Sequence, residues 1–374
     1  MTEEIKVVLF GVGGFAANYV HALTQPEREN VRLVGAVDPF ASGFTACKLY
    51  DDAEEMLRAG KPDIAVIATP IQFHAEQAEL AFRYGCNVVM EKPISATVAG
   101  AQRVLKARDS AGKLLNIDYQ LCYDPVIRAV KADADAGVFG APVSLKVIVL
   151  WPRDQVYYHR GGGWAGKKTD AQGREIYDSV LNNATAHYLM NMLFMTGEEA
   201  VGVQARTYRA NSIETYDTAV MKARSAGAEI FIAVSHAAGR DFKQEPLFEY
   251  RYEKATLRFG AKGEKGSHFT VHFTDGRVKD YGEVTQPYMA NLWNMVDALR
   301  EGTQICCSAE TALLQTKAVE SIRLLEPDAT PFPERWIRRE EDINWVPGLA
   351  ESLWNCFENA SLPDWDPSAD ALKQ

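Results

Sequence analysis

The chain has 374 residues, 47% of them hydrophobic, and this length is more than one core usually organises. Forty Lys and Arg residues against 50 Asp and Glu give a net charge of −10 with no basic face, which argues against nucleic acid or an anionic membrane surface as partner. The six cysteines show no CxxC spacing and the seven histidines no ligand-like spacing, so neither a disulfide scaffold nor a metal site is expected. Without a charged leader or about 20 consecutive apolar residues, the chain is expected to be cytoplasmic.

The first third of the chain alternates short apolar runs with amphipathic segments. Strand-like runs occupy residues 7–10, 32–37, 64–68, 87–90 and 114–117, and helical segments include residues 74–84 and 98–111. Each crossover helix needs an apolar surface to pack on, so this alternation predicts a parallel sheet covered on both faces. We therefore predict a doubly wound α/β domain over residues 1–124.

The pattern changes after Pro125, where a helix ending near Ala136 is followed by strands with few helices between them. These strand-like runs are residues 143–150, 201–209, 218–223, 229–235, 248–251, 255–260, 268–273 and 277–281. The last two meet at Asp275 and Gly276, which predicts a hairpin. Helical spacing returns at residues 291–300 and 309–325, and a tail with four tryptophans follows Pro331. We predict an α+β second domain, residues 125–374, with an open, mainly antiparallel sheet over which the tail wraps.

The run Gly11-Val12-Gly13-Gly14-Phe15-Ala16 lies between the first strand and a helix, which is the setting that a dinucleotide-binding turn requires. Gly11 suits a tight turn, Gly13 the close approach of a pyrophosphate, and Ala16 the packing of the helix; Gly14 and Phe15 complete the predicted contacts. The free N–H groups and the dipole of a helix N-terminus favour phosphates there. The alternative is a turn with only a structural role.

Further cofactor contacts are predicted where two later strands end. Asp38 closes the second strand, and its carboxylate can accept hydrogen bonds from ribose hydroxyls while repelling a 2′-phosphate, so NAD is favoured over NADP. The alternative is an aspartate that caps the turn before Pro39. Thr69 and Pro70 follow the third strand and are expected to line the nucleotide cleft. His74 is either a cofactor contact or an ordinary first residue of the next helix.

Glu91-Lys92-Pro93 follows the strand at residues 87–90. An ammonium beside a nicotinamide can handle a hydroxyl proton while the ring takes the hydride. Lys92 is therefore predicted to be catalytic and to contact both cofactor and substrate, with a salt bridge as the alternative. Glu91 is counted with the cofactor-binding residues, although a structural role suits it better.

Three motifs in this order, the glycine turn, Ala-Thr-Pro-x-x-x-His and Glu-Lys-Pro, resemble the Gfo/Idh/MocA family, the glucose-fructose oxidoreductase and inositol dehydrogenase relatives. Residues 119–125 resemble the family segment that enters the second domain, although Cys122 stands where an arginine is frequent. The resemblance implies a Rossmann domain followed by an open, mainly antiparallel sheet. It also implies NAD chemistry on a sugar or polyol.

The family carries an aspartate four residues before a histidine on a helix that faces the nicotinamide, and residues 182–187 match that segment. Spacing of four puts both side chains on one helix face. His187 keeps its place and is predicted to act as a general base, for which a neutral imidazole is suited; the alternative is a histidine packed between the domains. Asn183 replaces the aspartate and cannot carry a proton, so it is predicted to contact substrate hydroxyls.

Residues 151–168 combine aromatic and cationic side chains with glycines. Aromatic faces stack on the apolar side of sugar rings, and Arg and Lys donors bind hydroxyls or a carboxylate. The glycines suggest a loop that closes over a ligand, and an interdomain loop without chemical role is the alternative. The predicted substrate contacts in this stretch are Trp151, Arg153, Tyr158, Arg160 and Trp164.

These features favour an NAD-dependent dehydrogenase that transfers hydride between a hydroxyl of a sugar, sugar acid or cyclitol and the nicotinamide, with Lys92 and His187 handling the proton. Two alternatives stay open: a redox-neutral, NAD-dependent glycoside hydrolase, which would show no net NADH, and a non-catalytic NAD-binding regulator. An uncovered sheet face must meet another layer, so a homodimer or homotetramer through the second-domain sheet is expected.

Overall fold

The computed structural model describes residues 4–25, 28–160 and 162–372. The strands are β1 (Ile5–Phe10), β2 (Val31–Val37), β3 (Leu49–Tyr50), β4 (Ile64–Ile67), β5 (Asn87–Met90), β6 (Leu115–Ile117), β7 (Pro142–Leu150), β8 (Val201–Arg209), β9 (Thr218–Ser225), β10 (Ala228–Ser235), β11 (Gln244–Tyr252), β12 (Ala255–Ala261), β13 (Glu264–Phe273), β14 (Val278–Glu283), β15 (Thr330–Pro331), β16 (Arg338–Glu340) and β17 (Ile343–Trp345). The helices are α1 (Ala16–Thr24), α2 (Ala53–Gly60), α3 (His74–Arg83), α4 (Val98–Ala111), α5 (Pro125–Asp135), α6 (Gln155–His159), α7 (Ala186–Thr196), α8 (Ala290–Glu301), α9 (Ala309–Leu325) and α10 (Leu349–Asn359). Within these residues, no helix has the length and apolar character needed to cross a membrane.

The chain forms two compact units. The first contains the described residues up to Tyr123 together with Gln286–Thr316, and the second contains Asp124–Thr285 and the described residues from Lys317 onward. The predicted division into residues 1–124 and 125–374 differs from these units at residues 286–316. Periodicity along the chain identified the helix of that segment but not the sheet on which it packs.

The first unit contains the predicted doubly wound parallel sheet, with the strand order β3-β2-β1-β4-β5-β6. All four residues of β4 and all four of β5 are buried, as expected for strands covered by helices on both faces. The strand order reverses between β1 and β4. Crevices at such a reversal, outside the carboxyl ends of the strands, are where ligands of this architecture bind.

Helix α8 completes the hydrophobic core of the first unit. Its Leu292, Met295 and Val296 are buried in the same cluster as Val7 and Leu9 of β1. Asn116 of β6 also donates through Nδ2 to the Asn291 carbonyl oxygen at 2.7 Å. The sheet formed by the N-terminal residues therefore depends on a segment that is distant in sequence.

The second unit contains a nine-stranded sheet in the order β14-β13-β12-β11-β7-β10-β9-β8-β15. Its pairings are antiparallel except for β7 with β10 and β8 with β15, which confirms the predicted open, mainly antiparallel sheet. The hairpin of β13 and β14 closes with the Phe273 N–H donating to the Arg277 carbonyl oxygen at 2.9 Å.

The C-terminal tail packs on this second sheet. Buried residues of α10 recur at helical spacing, as in Leu349, Leu353 and Phe357, and form an apolar stripe against β7 and β10. Ile148 and Phe231 of the sheet belong to the same core cluster, and Trp354 and Trp365 pack against it. Part of one sheet face is thus covered by the chain itself.

Candidate functional site

The predicted cofactor residues of the first unit lie at one edge of its sheet. Gly11 follows β1, Asp38 follows β2, Thr69 comes two residues after the end of β4, and Lys92 two residues after the end of β5. These four strands are neighbours in the order β2-β1-β4-β5. The parallel arrangement therefore gathers residues from four separate parts of the sequence at the strand ends around the reversal of strand order.

Gly11 and Gly13 meet different steric requirements. Gly11 has φ of +88°, and a Cβ there would lie 3.0 Å from the Ala68 carbonyl oxygen, so both the turn and the packing require glycine. A Cβ on Gly13 would meet no atom within 4 Å. The space above Gly13 is what the close approach of a pyrophosphate needs, so the turn fits a dinucleotide.

The N-terminus of α1 is free of a side-chain cap. Ala16 is completely buried under the first turn, while Phe15 is 39% exposed and its ring lies 6.2 Å from that of Tyr288. Uncapped N–H groups at a helix N-terminus bind phosphate readily. The Ala16, Ala17 and Asn18 N–H groups already donate to carbonyl oxygens of residues 13–15, so donors for a cofactor phosphate would come from the preceding glycine turn.

Asp38 anchors the glycine turn. Its Oδ2 accepts from the Val12 N–H and its Oδ1 from the Phe40 N–H, both at 2.9 Å. The turn-capping alternative is thus realised in the structure. A carboxylate has about four lone-pair sites, so two remain for ribose hydroxyls.

His74 connects two loops at the strand ends. Its Nδ1 lies 2.7 Å from the Pro93 carbonyl oxygen and its Nε2 lies 2.8 Å from the Thr69 carbonyl oxygen. The side chain is buried, and this burial lowers its pKa. His74 therefore fixes the backbone of both Thr69 and Pro93, and a direct contact with cofactor stays a prediction, as it does for Thr69 and Pro70.

Glu91 belongs to a buried polar group beneath Lys92. Its Oε1 accepts from the Tyr19 hydroxyl at 3.0 Å, and that hydroxyl accepts from Asn291 Nδ2 at 2.5 Å. Burial raises the pKa of Glu91, and the Lys92 charge opposes this rise. The hydrogen bond from Tyr19 is compatible with a structural role, and the predicted contact of Glu91 with cofactor stays a prediction.

Asp118 was not identified from the sequence. It follows β6, is 1% exposed, and its carboxyl lies within hydrogen-bond reach of the Glu91 carboxyl when one of the two is protonated. Burial, and next the neighbouring Glu91, raises the pKa of Asp118 well above its usual range. The two carboxyls therefore retain a proton at a pH where isolated carboxyls have lost theirs, and they supply the negative charge opposite Lys92. Only the strand order could have revealed this pairing.

In the second unit, the segment that carries Asn183 and His187 is not one continuous α-helix. Asn183 lies in a π-helical turn, Val180–Ala184, and His187 in the first turn of α7, with Thr185 (φ −110°, ψ 11°) between them. The expectation that a spacing of four puts both side chains on one regular helix face is corrected by this interruption. A π turn inserts extra backbone, and such turns are frequent at functional sites.

Asp178 is a second carboxylate that the sequence analysis missed. It is buried, and its Oδ1 accepts from Asn183 Nδ2 at 2.8 Å while its Oδ2 accepts from the Gly166 N–H at 2.6 Å. A carboxylate only accepts, so the Asn183 amide must turn its nitrogen to Asp178 and present its oxygen elsewhere. The contact of Asn183 with a substrate hydroxyl stays a prediction.

The aromatic and cationic side chains predicted to contact substrate form one cluster in the second unit. The Arg160 guanidinium carbon lies 3.5 Å from the Tyr157 ring centroid and 5.0 Å from that of Trp164. The Arg153 guanidinium carbon lies 4.9 Å from the Tyr157 centroid and 5.5 Å from that of Trp151.

Part of the predicted glycine loop is the short helix α6, whose start is capped by Asp154 through the Tyr157 N–H at 2.8 Å. Gly162, Gly163 and Gly166 have positive φ angles of 81°, 71° and 72°. Gly161 lies outside the described residues. The loop prediction therefore applies only to the residues after α6.

His236 joins the cluster from the end of β10. Its Nδ1 lies 3.3 Å from the Tyr158 hydroxyl, and the Tyr157 ring meets its ring edge to face at 5.3 Å. Nothing in the local sequence marks it, because the contact depends on how β10 lies beside β7.

The structure groups the predicted site residues by unit. Lys92 and the cofactor residues belong to the first unit, whereas His187, Asn183 and the cluster of residues 151–164 belong to the second. The predicted roles of these residues in binding and catalysis stay predictions.

Comparison with known proteins finds similar sequences and similar solved structures. A D-apiose dehydrogenase from Rhizobium rhizogenes is 26% identical over 266 residues, covering 68% of this chain and 73% of that protein. An inositol 2-dehydrogenase from Mycolicibacterium gilvum is 20% identical over 362 residues, covering 88% of this chain and 97% of that protein. The structure of the WlbA dehydrogenase from Bordetella pertussis, in complex with NADH and UDP-GlcNAcA, matches with a TM-score of 0.72 at 25% identity, over 86% of this chain and 96% of that one.

Residues 5–119 match the family model described as an oxidoreductase family with an NAD-binding Rossmann fold. The model covers the parallel sheet with its glycine turn and Glu-Lys-Pro motif. The resemblance inferred from the sequence motifs is confirmed over residues 5–119, which match the Gfo/Idh/MocA family model, and the relatives named above match beyond that segment.

Proposed function

We propose that this protein is an NAD-dependent dehydrogenase that transfers hydride between a hydroxyl-bearing carbon of a sugar, sugar acid or cyclitol and the nicotinamide. The observation that carries the proposal is the open glycine turn, anchored by Asp38, at the same sheet edge as Lys92. Lys92 and His187 handle the hydroxyl proton. The names D-apiose dehydrogenase and inositol 2-dehydrogenase, and the UDP-GlcNAcA bound in the WlbA dehydrogenase structure, support a hydroxylated substrate.

The cofactor would be held by Gly11, Gly13, Gly14, Phe15 and Ala16 at the phosphates, Asp38 at the adenosine ribose, and Thr69 and Pro70 along the cleft. Bound NAD supplies a ring that accepts or returns hydride. Since Asp38 already carries a negative charge and two occupied hydrogen-bond positions, a 2′-phosphate there would meet repulsion. NAD is therefore preferred to NADP.

Proton handling needs a group that accepts a proton near neutral pH. Neutral imidazole at His187 does this, and a positioned general base contributes about 10²–10⁴ in rate. Lys92, backed by the Glu91 and Asp118 carboxyls, either shares the proton or holds the substrate oxygen. Asn183 takes no proton, and its amide oxygen accepts from a neighbouring hydroxyl.

The proposal is tested by following reduced nicotinamide by absorbance. Purified protein is mixed with NAD, or separately NADP, and with hexoses, amino sugars, uronic acids, inositols and their aryl glycosides. We expect NADH from at least one sugar or cyclitol, and we expect Lys92→Ala and His187→Ala each to lower kcat by about 10²–10⁴. Lys254→Ala and His272→Ala, at exposed positions of the second unit, serve as matched controls.

Two other outcomes would reject the proposal. Release of the aryl group without NADH would indicate a redox-neutral glycoside hydrolase. Tight NAD binding without any reaction across the whole panel would indicate a regulator that binds the nucleotide alone.

Cofactor preference is tested separately with Asp38→Asn, which removes the charge but keeps one acceptor oxygen for the turn. Protein is titrated with NADH and separately with NADPH, and nicotinamide fluorescence gives the two dissociation constants and their ratio. We expect the variant to shift that ratio toward NADP by about tenfold, because this factor corresponds to the binding free energy of one charged hydrogen bond. An unchanged ratio would mean that Asp38 only caps the turn.

A further inference from the structure

Two arginines of the second-unit cluster have aromatic neighbours but no acidic partner. Both Arg153 and Arg160 are half-buried against Tyr157, Trp151 and Trp164. Throughout the described part of the chain, no carboxylate oxygen comes within ion-pair distance, 4.0 Å, of either guanidinium. In a protein of net charge −10 this is a local excess of positive charge.

Two buried acidic side chains whose charges act on Tyr157 and Tyr158 accept hydrogen bonds from other donors. Asp178 accepts from the Gly166 N–H and from Asn183. Asp217 accepts through Oδ2 from the Ala210 and Asn211 N–H groups, both at 2.9 Å. These carboxylates stabilise turns of the second unit, so they do not neutralise the two guanidiniums.

His236 adds a buried donor to the same place. It is 2% exposed, its ring is held by the Tyr158 hydroxyl and the Tyr157 face, and the Arg153 N–H donates to its carbonyl oxygen at 3.2 Å. Its Nε2 is buried and has no hydrogen-bond partner. Burial, followed by the charges of Arg153 and Arg160, lowers the pKa of His236 well below its usual range, so the ring is neutral.

A bound anion would satisfy all three side chains. A buried polar atom without a partner costs free energy, and guanidiniums bind planar carboxylates through strong charge-assisted hydrogen bonds. Trp151 and Trp164 flank the arginines, and such faces suit the apolar side of a sugar ring. The combination matches one molecule that carries both a ring and an acid group.

We propose that Arg153, Arg160 and His236 form a subsite that binds the carboxylate of a sugar-acid substrate. This inference rests on the proposed dehydrogenase function and narrows its substrate class from sugars, sugar acids and cyclitols to sugar acids. A phosphate on a sugar shares the same charge chemistry, and the experiment separates the two.

The test measures binding by tryptophan fluorescence of the full chain with NAD present, because Trp151 and Trp164 lie beside the arginines. The ligands are matched pairs, D-glucose with D-glucuronate and D-galactose with D-galacturonate, together with glucose 6-phosphate. We expect at least one acid to bind about tenfold or more tightly than its neutral partner, with an affinity that falls as salt is added.

Variants connect this preference to the named residues. Arg153→Gln and Arg160→Gln are each expected to weaken binding of the acid by about 10–100-fold and so to reduce the affinity ratio between the acid and its neutral partner. Arg251→Gln, an exposed arginine of β11, removes the same charge elsewhere and is expected to have no effect. His236→Gln, which is also buried, is accepted as a test only if its melting temperature equals that of the wild type.

Three results would overturn the subsite. The subsite is rejected if the acids bind no more tightly than their neutral partners. It is also rejected if Arg251→Gln loses as much affinity for the acid as Arg153→Gln and Arg160→Gln do. Tighter binding of glucose 6-phosphate than of every uronate would overturn the assignment to a carboxylate. The readout is binding, so it is independent of NADH. Acids that bind through the arginines while no member of the panel yields NADH support the subsite and reject the dehydrogenase. NADH from neutral sugars without tighter binding of any acid does the reverse.

Discussion

At the scale of single residues, the group formed by Lys92, Glu91 and Asp118 shows how burial controls charge. Burial raises the pKa of both carboxyls, and the Lys92 charge opposes that rise, so these three groups influence one another's charge. The proton on this pair makes the stability of the first unit depend on pH.

We predict that Asp118→Asn reduces that dependence. Burial raises the pKa of Asp118 in the native state, whereas the unfolded chain releases this proton near pH ~4. The native state then binds more protons, so the free energy of unfolding falls as pH rises above ~4. Unfolding in guanidinium chloride at pH ~5 and pH ~8 should show a smaller loss for the variant, by on the order of 1 kcal/mol for each pKa unit removed.

Asp51→Asn, at an exposed position of the same unit, is the matched control and should follow the wild type at both pH values. If Asp118→Asn lost as much stability as the wild type over this range, Asp118 would not be the group that retains the proton.

Single residues differ in how readily the sequence reveals them. Gly11 and Asp38 were predicted because their roles follow from local chain geometry at the end of a strand. Asp118, Asp178 and His236 were missed because each acts through a partner that only strand order or loop packing brings near. The aromatic and cationic character of residues 151–164 was visible, but their partners were not.

At the scale of elements, the turn between β1 and α1 predicts opposite outcomes for two glycines. Gly11→Ala forces a left-handed conformation that costs about 1–2 kcal/mol and brings Cβ against the Ala68 carbonyl, so the melting temperature should fall. Gly13→Ala has space in the structure, so stability should hold while NAD binding weakens. Thermal unfolding and NAD titration of both variants separate these effects. A Gly13→Ala protein that binds NAD as tightly as the wild type would contradict the predicted approach of the pyrophosphate to Gly13.

Helix α10 predicts a stability effect far from any predicted contact. Leu353 is fully buried between the helix and the second sheet, so Leu353→Ala should lower the free energy of unfolding by about 2–5 kcal/mol. Leu324→Ala, at a side chain that is 71% exposed, should have little effect. Equal losses in denaturant titrations of the two variants would show that α10 is not part of the core.

Elements with strong periodicity were predicted well, and the bounds of α4, α9, β5 and β8 agree with the structure. The π-helical turn at Val180–Ala184 and the short helix α6 were not predicted. Both are single turns, and their conformations are fixed by tertiary hydrogen bonds such as those of Asp178 and by the cap at Asp154, which periodicity does not record.

At the scale of the whole molecule, the first unit requires residues 286–316. We predict that a fragment of residues 1–124 does not fold stably, because it lacks Leu292, Met295 and Val296, and each such side chain contributes about 1.5–3 kcal/mol on burial. Circular dichroism should show a cooperative melt only when residues 286–316 are joined to the fragment through a flexible linker. A cooperative melt of the fragment alone would contradict this dependence.

Association of copies through the second sheet stays a proposal, and the structure narrows where it would occur. Strands β7 and β10 carry α10 on one face, whereas β14 exposes most of its side chains, including Val278 at 62%. We therefore predict a homodimer or homotetramer that uses β12–β14. Light scattering at micromolar concentration checks the mass, and a monomer would reject the proposal.

The Asp178 carboxylate has a consequence for recombination between relatives. One oxygen accepts from the Gly166 N–H in the loop, and the other accepts from the Asn183 amide in the π-helical turn. Two segments that could be exchanged separately in a chimeric enzyme therefore share one acceptor. A loop transplanted without Asp178 leaves a buried N–H and an amide unsatisfied, at about 1–3 kcal/mol each. Exchange of either stretch in this protein therefore requires an acceptor compatible with both residue 166 and residue 183 at position 178.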